Sequence, residues 1–140
     1  MTLAVQVLRA ASSLESAARR AFKDIGLSPA QFNVLNIVSD HPDGISFTEV
    51  ADQLLVDRSN ITLLVRRLVS DGLLEVTPSP VDGRQKVLRL TAVGTRKWKQ
   101  ADRLYREGLE RVTKELGVAA TKAVNESLRR VEAVANELFR

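Results

Sequence analysis

The apolar residues of the stretch RSNITLLVRRL, residues 58–68, recur at the spacing of one face of an α-helix. On a helical projection these apolar residues and the next one along the chain lie within about 70° of one direction. They are Ile61, Leu64, Val65, Leu68 and Val69. This side of the helix is predicted to be buried. The other side, predicted to face outward, holds Ser59, Thr62, Leu63, Arg66, Arg67 and Ser70.

Helical periodicity covers most of the remaining chain, and turn residues divide it into separate helices. The stretches 28–31 and 46–49 each have the pattern of a capping box. Asp57 and Thr91 are predicted to cap two further helices, and Gly72 is placed to end one in the left-handed conformation. The predicted helices span about residues 3–24, 28–39, 46–54, 57–71, 91–116 and 119–139.

A β-hairpin is predicted directly after the fourth helix. Residues 73–77 and 86–90 are short and β-prone, and they flank PSPVDGRQ, which contains the turn pair Asp82-Gly83. The third and fourth helices are joined by about three residues, 55–57, which is the spacing of a helix-turn-helix. The predicted fold is therefore mainly α with a small β-hairpin, in the arrangement of a winged helix-turn-helix.

The helices outside this region carry apolar stripes that need a partner. The stripes are Leu3, Val7, Leu14, Ala18, Ala21 and Ile25; Trp98, Ala101, Tyr105, Leu109, Val112 and Leu116; and Val124, Leu128, Val131, Ala135 and Leu138. The last stripe advances by alternating steps of four and three residues, which is typical of coiled coils. Packing against a second copy of the chain would bury the terminal stripes, so a homodimer is expected. A monomeric helical bundle is the alternative.

Composition narrows the class of protein. The chain has 140 residues, 44% apolar and 27% charged, as an ordinary globular domain does. It has no cysteine, which excludes disulfides and thiolate metal sites and fits a cytoplasmic protein. No stretch approaches the roughly 20 apolar residues of a membrane span, and Arg9 and Glu15 interrupt the N-terminal apolar pattern, so neither a membrane segment nor a signal peptide is expected.

The outward side of the fourth helix matches what the DNA major groove requires. Arginine reads guanine, asparagine reads adenine, and an apolar group or threonine meets the thymine methyl. No carboxylate occurs between residues 58 and 70, although a solvated helix face usually mixes both signs. Plain solvation of this face remains the alternative. The candidate DNA-binding residues on this helix are Arg58, Ser59, Asn60, Thr62, Leu63, Arg66 and Arg67.

The hairpin tip adds a second candidate contact with DNA. Arg84 on a projecting loop suits the narrow, negative minor groove, and Asp82 is placed to hold that loop or Arg84 itself. Lys86 and Arg89 follow on the second strand and suit phosphate contacts. A solvated turn is the alternative. The net charge of +4 is compatible with an anionic partner.

An enzyme is not expected from these residues. His41 is the single histidine and lies in a turn between Asp40 and Asp43. The sequence has no thiol, no phosphate-binding loop and no zinc-protease motif. No catalytic residue, metal site or cofactor is predicted.

Residues 46–94 resemble the MarR family of winged helix-turn-helix transcription regulators. The motifs that carry the resemblance are Thr48-Glu49-Val50-Ala51, Ser59-Asn60-Ile61-Thr62, Asp71-Gly72-Leu73-Leu74, Asp82-x-Arg84 and Leu90-Thr91-x-x-Gly94. The flanks match in layout, so the resemblance implies one MarR-type domain over residues 1–140. It would contain a winged helix-turn-helix at 28–93 and dimerisation helices at 1–27 and 94–140. Leu63 and Arg66 depart from the family pattern, so base preferences do not carry over.

The resemblance also implies a function. Members are typically homodimers that bind pseudo-palindromic operators, mostly as repressors, and release DNA when a small aromatic or anionic ligand binds. Candidate effector-binding residues are Arg9, Phe32 and Trp98, each of which is otherwise an ordinary core or surface residue. A winged-helix adaptor that binds proteins and not DNA is the alternative. Exposed Leu63 would suit such an adaptor, but Arg66 and Arg84 would not.

Overall fold

Helices dominate the computed structural model, which describes residues 1–54 and 58–138, with only the backbone of Arg58 and Ser59. One short antiparallel hairpin lies between the fourth and fifth α-helices. The elements are α1 (Leu3–Phe22), a 3₁₀ turn (Lys23–Ile25), α2 (Pro29–Ser39), α3 (Phe47–Leu54), α4 (Arg58–Ser70), β1 (Leu74–Pro78), β2 (Lys86–Leu90), α5 (Ala92–Leu116) and α6 (Val118–Ala135). The predicted order of helices and hairpin is confirmed.

The chain forms two compact units, Met1–Tyr105 and Arg106–Arg140, and α5 contributes to both. The first unit contains α1 to α4, the hairpin and the beginning of α5. Its core gathers apolar side chains from each of these elements: Phe22, Phe32, Leu35, Val50, Ile61, Leu68, Leu74, Leu88 and Ala101. In the described part of the chain, no helix is long and apolar enough to cross a membrane.

Both predicted capping boxes are present. The N–H of Gln31 donates to the hydroxyl oxygen of Ser28 at 3.1 Å, and the N–H of Ser28 donates to the side-chain oxygen of Gln31 at 3.0 Å. Ser46 and Glu49 form the same reciprocal pair at the start of α3. The backbone N–H of Ser46 holds the pKa of the Glu49 carboxyl group below its ordinary value, and the Ser46 hydroxyl acts in the same direction.

The predicted stripe of the first helix is exposed or only partly buried in the single chain. Leu3 and Leu14 are exposed within this unit, Ala21 is exposed, and Ala18 and Ile25 are only partly buried. Phe22, which the stripe omitted, is the buried residue of α1, and it packs against Phe32 with ring centroids 4.9 Å apart. Phe22 lies four residues after Ala18 and so extends the same face of α1, while burial of the exposed members of the stripe against a second chain stays a prediction.

The fourth helix buries the predicted face with one exception. Ile61, Val65 and Leu68 are fully buried and Leu64 is partly buried. Val69 was predicted to join them but is 37% exposed. A step of 100° per residue carries Val69 past Leu68 to the rim of the buried face, where the core no longer covers it. The residues predicted to cap α4 and to form the preceding turn, 55–57, lie outside the described residues.

The hairpin begins one residue later than predicted. The N–H of Leu73 donates to the carbonyl oxygen of Leu68 at 2.9 Å and so completes the end of α4, together with Gly72 in the left-handed conformation at φ 75°. Strand pairing therefore starts with Leu74 opposite Leu90 and ends with Pro78 opposite Lys86. Ile45 adds an isolated bridge to Leu88 on the other edge of β2.

Gly94 lets the first turn of α5 approach the end of α4. A Cβ atom at this position would collide with the carbonyl oxygen of Leu73. The hydroxyl oxygen of Thr91 accepts a hydrogen bond from the N–H of Gly94 at 2.9 Å, so Thr91 caps α5 as predicted. Thr91 and Gly94 thus fix where α5 leaves the winged helix-turn-helix.

The second unit is a pair of helical segments joined at Gly117. This glycine has φ 83° and directly precedes α6. The last helix was predicted over about 119–139 but ends at Ala135, followed by a turn. Within this unit the predicted stripes are largely exposed, as the side chains of Val112, Leu116, Val124, Leu128 and Leu138 are.

Candidate nucleic-acid interface

The outward side of α4 is a surface of cations, amide, hydroxyl and one large apolar side chain. Leu63 is 72% exposed in the middle of this side. Asn60, Arg66 and Arg67 are exposed around it, and Thr62 is half-buried. The side chains of Arg58 and Ser59 lie outside the described part of the chain. The arrangement follows from the period of α4, because Ile61, Val65 and Leu68 are fully buried on the opposite side.

The guanidinium groups on the outward side of α4 and at the hairpin tip are available to an external partner. Arg66, Arg67 and Arg84 form no ion pair with any carboxylate in the described ranges. Helix α4 contributes no acidic residue, since Asp71 follows its last residue. A polyanion such as a phosphate backbone would therefore meet guanidinium groups without a competing internal carboxylate.

The tip of the hairpin is held by its own hydrogen bonds. The N–H of Ser79 donates to the carbonyl oxygen of Gln85 at 2.8 Å, and the N–H of Gln85 donates to that of Asp82 at 3.0 Å. The carboxylate of Asp82 accepts the backbone N–H of Arg84 at 3.1 Å. Asp82 thus orders the backbone at Arg84, whose side chain is exposed, as the sequence predicted.

One contact at the tip was missed by the sequence analysis. The hydroxyl oxygen of Ser79 accepts the N–H groups of Val81 and Asp82 at 3.2 and 3.3 Å. Serine and threonine commonly form such local turns with the backbone that follows, so Ser79 between Pro78 and Pro80 was the available signal. The turn presents Val81, which is 95% exposed.

The two basic residues of β2 differ in their surroundings. Lys86 is exposed at the start of the strand, opposite Pro78. The guanidinium of Arg89 instead donates two hydrogen bonds to the carbonyl oxygen of Pro42, at 3.0 and 2.6 Å, and lies 4.0 Å from Asp43. Arg89 therefore has an internal role, in which it fastens the loop before α3 to the wing, and its contact with phosphate stays a prediction.

The candidate effector residues lie in different surroundings. Phe32 is buried and packs between Phe22 and Tyr105, whose ring centroid is 5.2 Å away. The indole N–H of Trp98 donates to the side-chain oxygen of Asn36 at 3.1 Å and so joins α5 to α2. Arg9 is exposed on α1.

A surface pocket of about 370 Å³ lies in the first unit between α1, α2 and α5. Its lining is formed by Leu14, Glu15, Ala18, Pro29, Ala30, Asn33 and Tyr105. None of the three candidate effector residues lines this pocket, although Phe32 contacts the ring of Tyr105.

A family model described as the MarR family matches residues 25–85. This segment contains α2, α3, α4, β1 and the tip of the hairpin. The chain is therefore similar to the MarR family over its winged helix-turn-helix region. The sequence resemblance is thereby confirmed, and the MarR-type winged helix is the fold in which the surface on α4 and the hairpin tip are placed.

Two characterised proteins of this type are similar in sequence. The HTH-type transcriptional repressor IacR of Pseudomonas putida is 32% identical over 109 residues, covering 78% of this chain and 65% of IacR. The transcriptional activatory protein BadR of Rhodopseudomonas palustris is 30% identical over 95 residues, covering 66% of this chain and 54% of BadR. The chain thus spans less than two-thirds of the length of these relatives.

A solved structure matches over nearly the whole chain. The transcriptional repressor CouR of Rhodococcus jostii, bound to a 23-mer DNA duplex, is 29% identical and superimposes with a TM-score of 0.83. The match covers 94% of this chain and 92% of CouR.

Proposed function

We propose that this protein is a sequence-specific, double-stranded DNA-binding transcription regulator and not an enzyme. The observation that carries the proposal is the outward side of α4, where Arg66, Arg67 and 72%-exposed Leu63 lie together without a carboxylate. Helix α4 would enter the major groove as the recognition helix, with Asn60 and Thr62 also facing bases. The described backbone places Arg58 and Ser59 in its first turn, where contacts with phosphate are favourable.

The wing would contact the adjacent minor groove. Arg84 on the ordered hairpin tip suits its negative potential, while Lys86 would bind phosphate at the edge. The ordered backbone supports this role, because a preformed loop loses little conformational freedom on binding. Residues 28–93 would form this DNA-binding region. CouR, whose structure is similar to that of this chain, binds a DNA duplex, and this supports DNA binding by the present protein.

The regulator would act as a homodimer on a pseudo-palindromic operator. Large apolar side chains are exposed along α1 and, separately, along the helices of the second unit, and exposed apolar surface of this kind supports association with another chain. Residues 1–27 and 94–140 would supply the dimerisation helices. Two recognition helices related by a two-fold axis would then read two half-sites. Such a regulator would work at promoters in the cytoplasm.

Repression with release by a small aromatic or anionic ligand completes the proposal. Similarity to the repressor IacR supports repression by this protein. Similarity to BadR, an activatory protein, would instead support activation. The candidate effector residues Arg9, Phe32 and Trp98 remain proposals. Phe32 and Trp98 have roles in packing, and the pocket beside Tyr105 is a second place for the ligand.

Selection from a random duplex library tests this function. The protein should enrich an inverted repeat whose half-sites are about one helical turn apart, roughly 34–36 Å. Inserting five base pairs between them should abolish the tight complex, because one half-site then faces away. Failure to enrich any duplex would favour the protein-binding adaptor.

A further inference from the structure

The most exposed large apolar side chain of the described residues is Val81, at the tip of the wing. Scattered apolar residues are normal on protein surfaces, so exposure alone decides nothing. Val81 differs because its position is fixed. Its N–H donates to the Ser79 hydroxyl at 3.2 Å, within a loop closed between Ser79 and Gln85. Since valine is also stiff at χ1, its isopropyl group points in a defined direction.

We propose that Val81 makes the wing selective for A·T pairs by packing into the floor of the minor groove beside Arg84. This inference rests on the proposed DNA-binding function and adds a specificity-determining residue to it. Val81 and Arg84 lie on the same ordered tip, so a wing that delivers the Arg84 guanidinium to the groove also brings the isopropyl group there.

The chemistry of the groove gives the direction of the preference. In the minor groove, A·T and T·A pairs present only acceptors, whereas G·C adds the 2-amino group of guanine. An isopropyl group cannot accept a hydrogen bond from that amine and competes with it for space. A·T-rich segments also have narrower grooves, whose sugar walls can contact an apolar side chain from both sides. Apolar side chains are used in this way by other minor-groove proteins.

The test uses the full-length protein and a duplex selected with it from a random library. Base pairs that lose hydroxyl-radical protection in Arg84→Ala define the positions under the wing. One A·T pair there is replaced by G·C or by inosine·C, which lacks the 2-amino group. The wild type should bind the A·T and inosine duplexes equally and the G·C duplex about tenfold more weakly.

Two variants separate the role of the side chain from that of the loop. Val81→Ala should reduce the G·C penalty to about threefold or less, whereas Val81→Ile, which keeps a stiff, β-branched apolar side chain, should retain it. Arg84→Ala is the control for loss of the charge, because it should weaken binding to all three duplexes while most of the penalty that Val81 imposes on G·C remains. The proposal is overturned if Val81→Ala keeps the full penalty or if the inosine duplex binds as weakly as G·C. If the wild type selects no duplex, the proposed function itself fails.

Discussion

The hydroxyl group of Thr91 donates a hydrogen bond to the carbonyl oxygen of Gly72, and the two oxygens lie 2.6 Å apart. Gly72 ends α4, and the same hydroxyl accepts the N–H of Gly94 in the first turn of α5. The N–H of Thr91 also donates to the carbonyl oxygen of Leu73 at 3.2 Å. One residue therefore connects the end of α4 to the start of α5.

Removing this hydroxyl should lower the stability of the protein. Thr91→Val keeps the shape of the side chain but loses both hydrogen bonds of the hydroxyl, so we expect a loss of about 1–2 kcal/mol in the free energy of unfolding by urea. Thr91→Ser keeps the hydroxyl and is the matched control, with a much smaller loss. Equal stability of the two variants would show that the contacts with Gly72 and Gly94 contribute nothing.

Two glycines of the same helix should respond oppositely to alanine. Gly94→Ala places a methyl group against the carbonyl oxygen of Leu73 and should cost about 1–3 kcal/mol or more, since backbone must shift. A Cβ atom on Gly108 would have no neighbour within 4 Å, so Gly108→Ala should raise the free energy of unfolding by about 0.5–1 kcal/mol through helix propensity. Thermal unfolding of both variants measures the difference, and a stabilising Gly94→Ala would contradict the close approach.

Much of the fold was predictable because it depends on neighbours in sequence. The pair Ser28 and Gln31 and the pair Ser46 and Glu49 act over three residues, and Gly72 ends its own helix. The sequence analysis missed contacts between residues that are distant along the chain. Arg89 donates to the carbonyl oxygen of Pro42, 47 residues away, and no local sequence pattern predicts that contact.

The candidate DNA-binding side was predictable for the same reason. Burial of Ile61, Val65 and Leu68 forces Leu63 outward through helical geometry alone. Burial is harder to predict for a residue at the edge of the buried face of α4, such as Val69, because it depends on how far the neighbouring elements extend. The environments of Phe32 and Trp98 depend on the packing of three helices and could not be read from spacing.

Leu63 should read a thymine methyl group. Leu63→Ala should cost about 1 kcal/mol of binding free energy on the best operator, near the low end for one specific base contact. Because the methyl supplies the contact, the cost should shrink when the thymine is replaced by uracil, which pairs identically. Fluorescence anisotropy with both duplexes and both proteins completes a double-mutant cycle. An identical loss on thymine and uracil duplexes would exclude the methyl contact.

The exposed apolar stripe of α6 should hold two chains together. Leu128→Arg introduces a charge beside Val124 and should convert a dimer into a monomer of 15.5 kDa by light scattering. Affinity for the full operator should fall by about 100-fold or more, since the second half-site no longer binds intramolecularly. Leu128→Met keeps the apolar volume and should remain dimeric. A wild-type monomer, or a dimeric Leu128→Arg variant with unchanged helix content, would contradict this interface.

The salt dependence of operator binding tests the central claim most directly. Each neutralised phosphate contributes about −0.9 to the slope of log K against log salt concentration. A dimer that presents Arg66, Arg67, Arg84 and Lys86 twice should contact at least four phosphates, so we predict a slope of about −4 or steeper between roughly 50 and 200 mM salt. A slope near zero would contradict the account, because the carboxylate-free side of α4 would then not bind the DNA backbone.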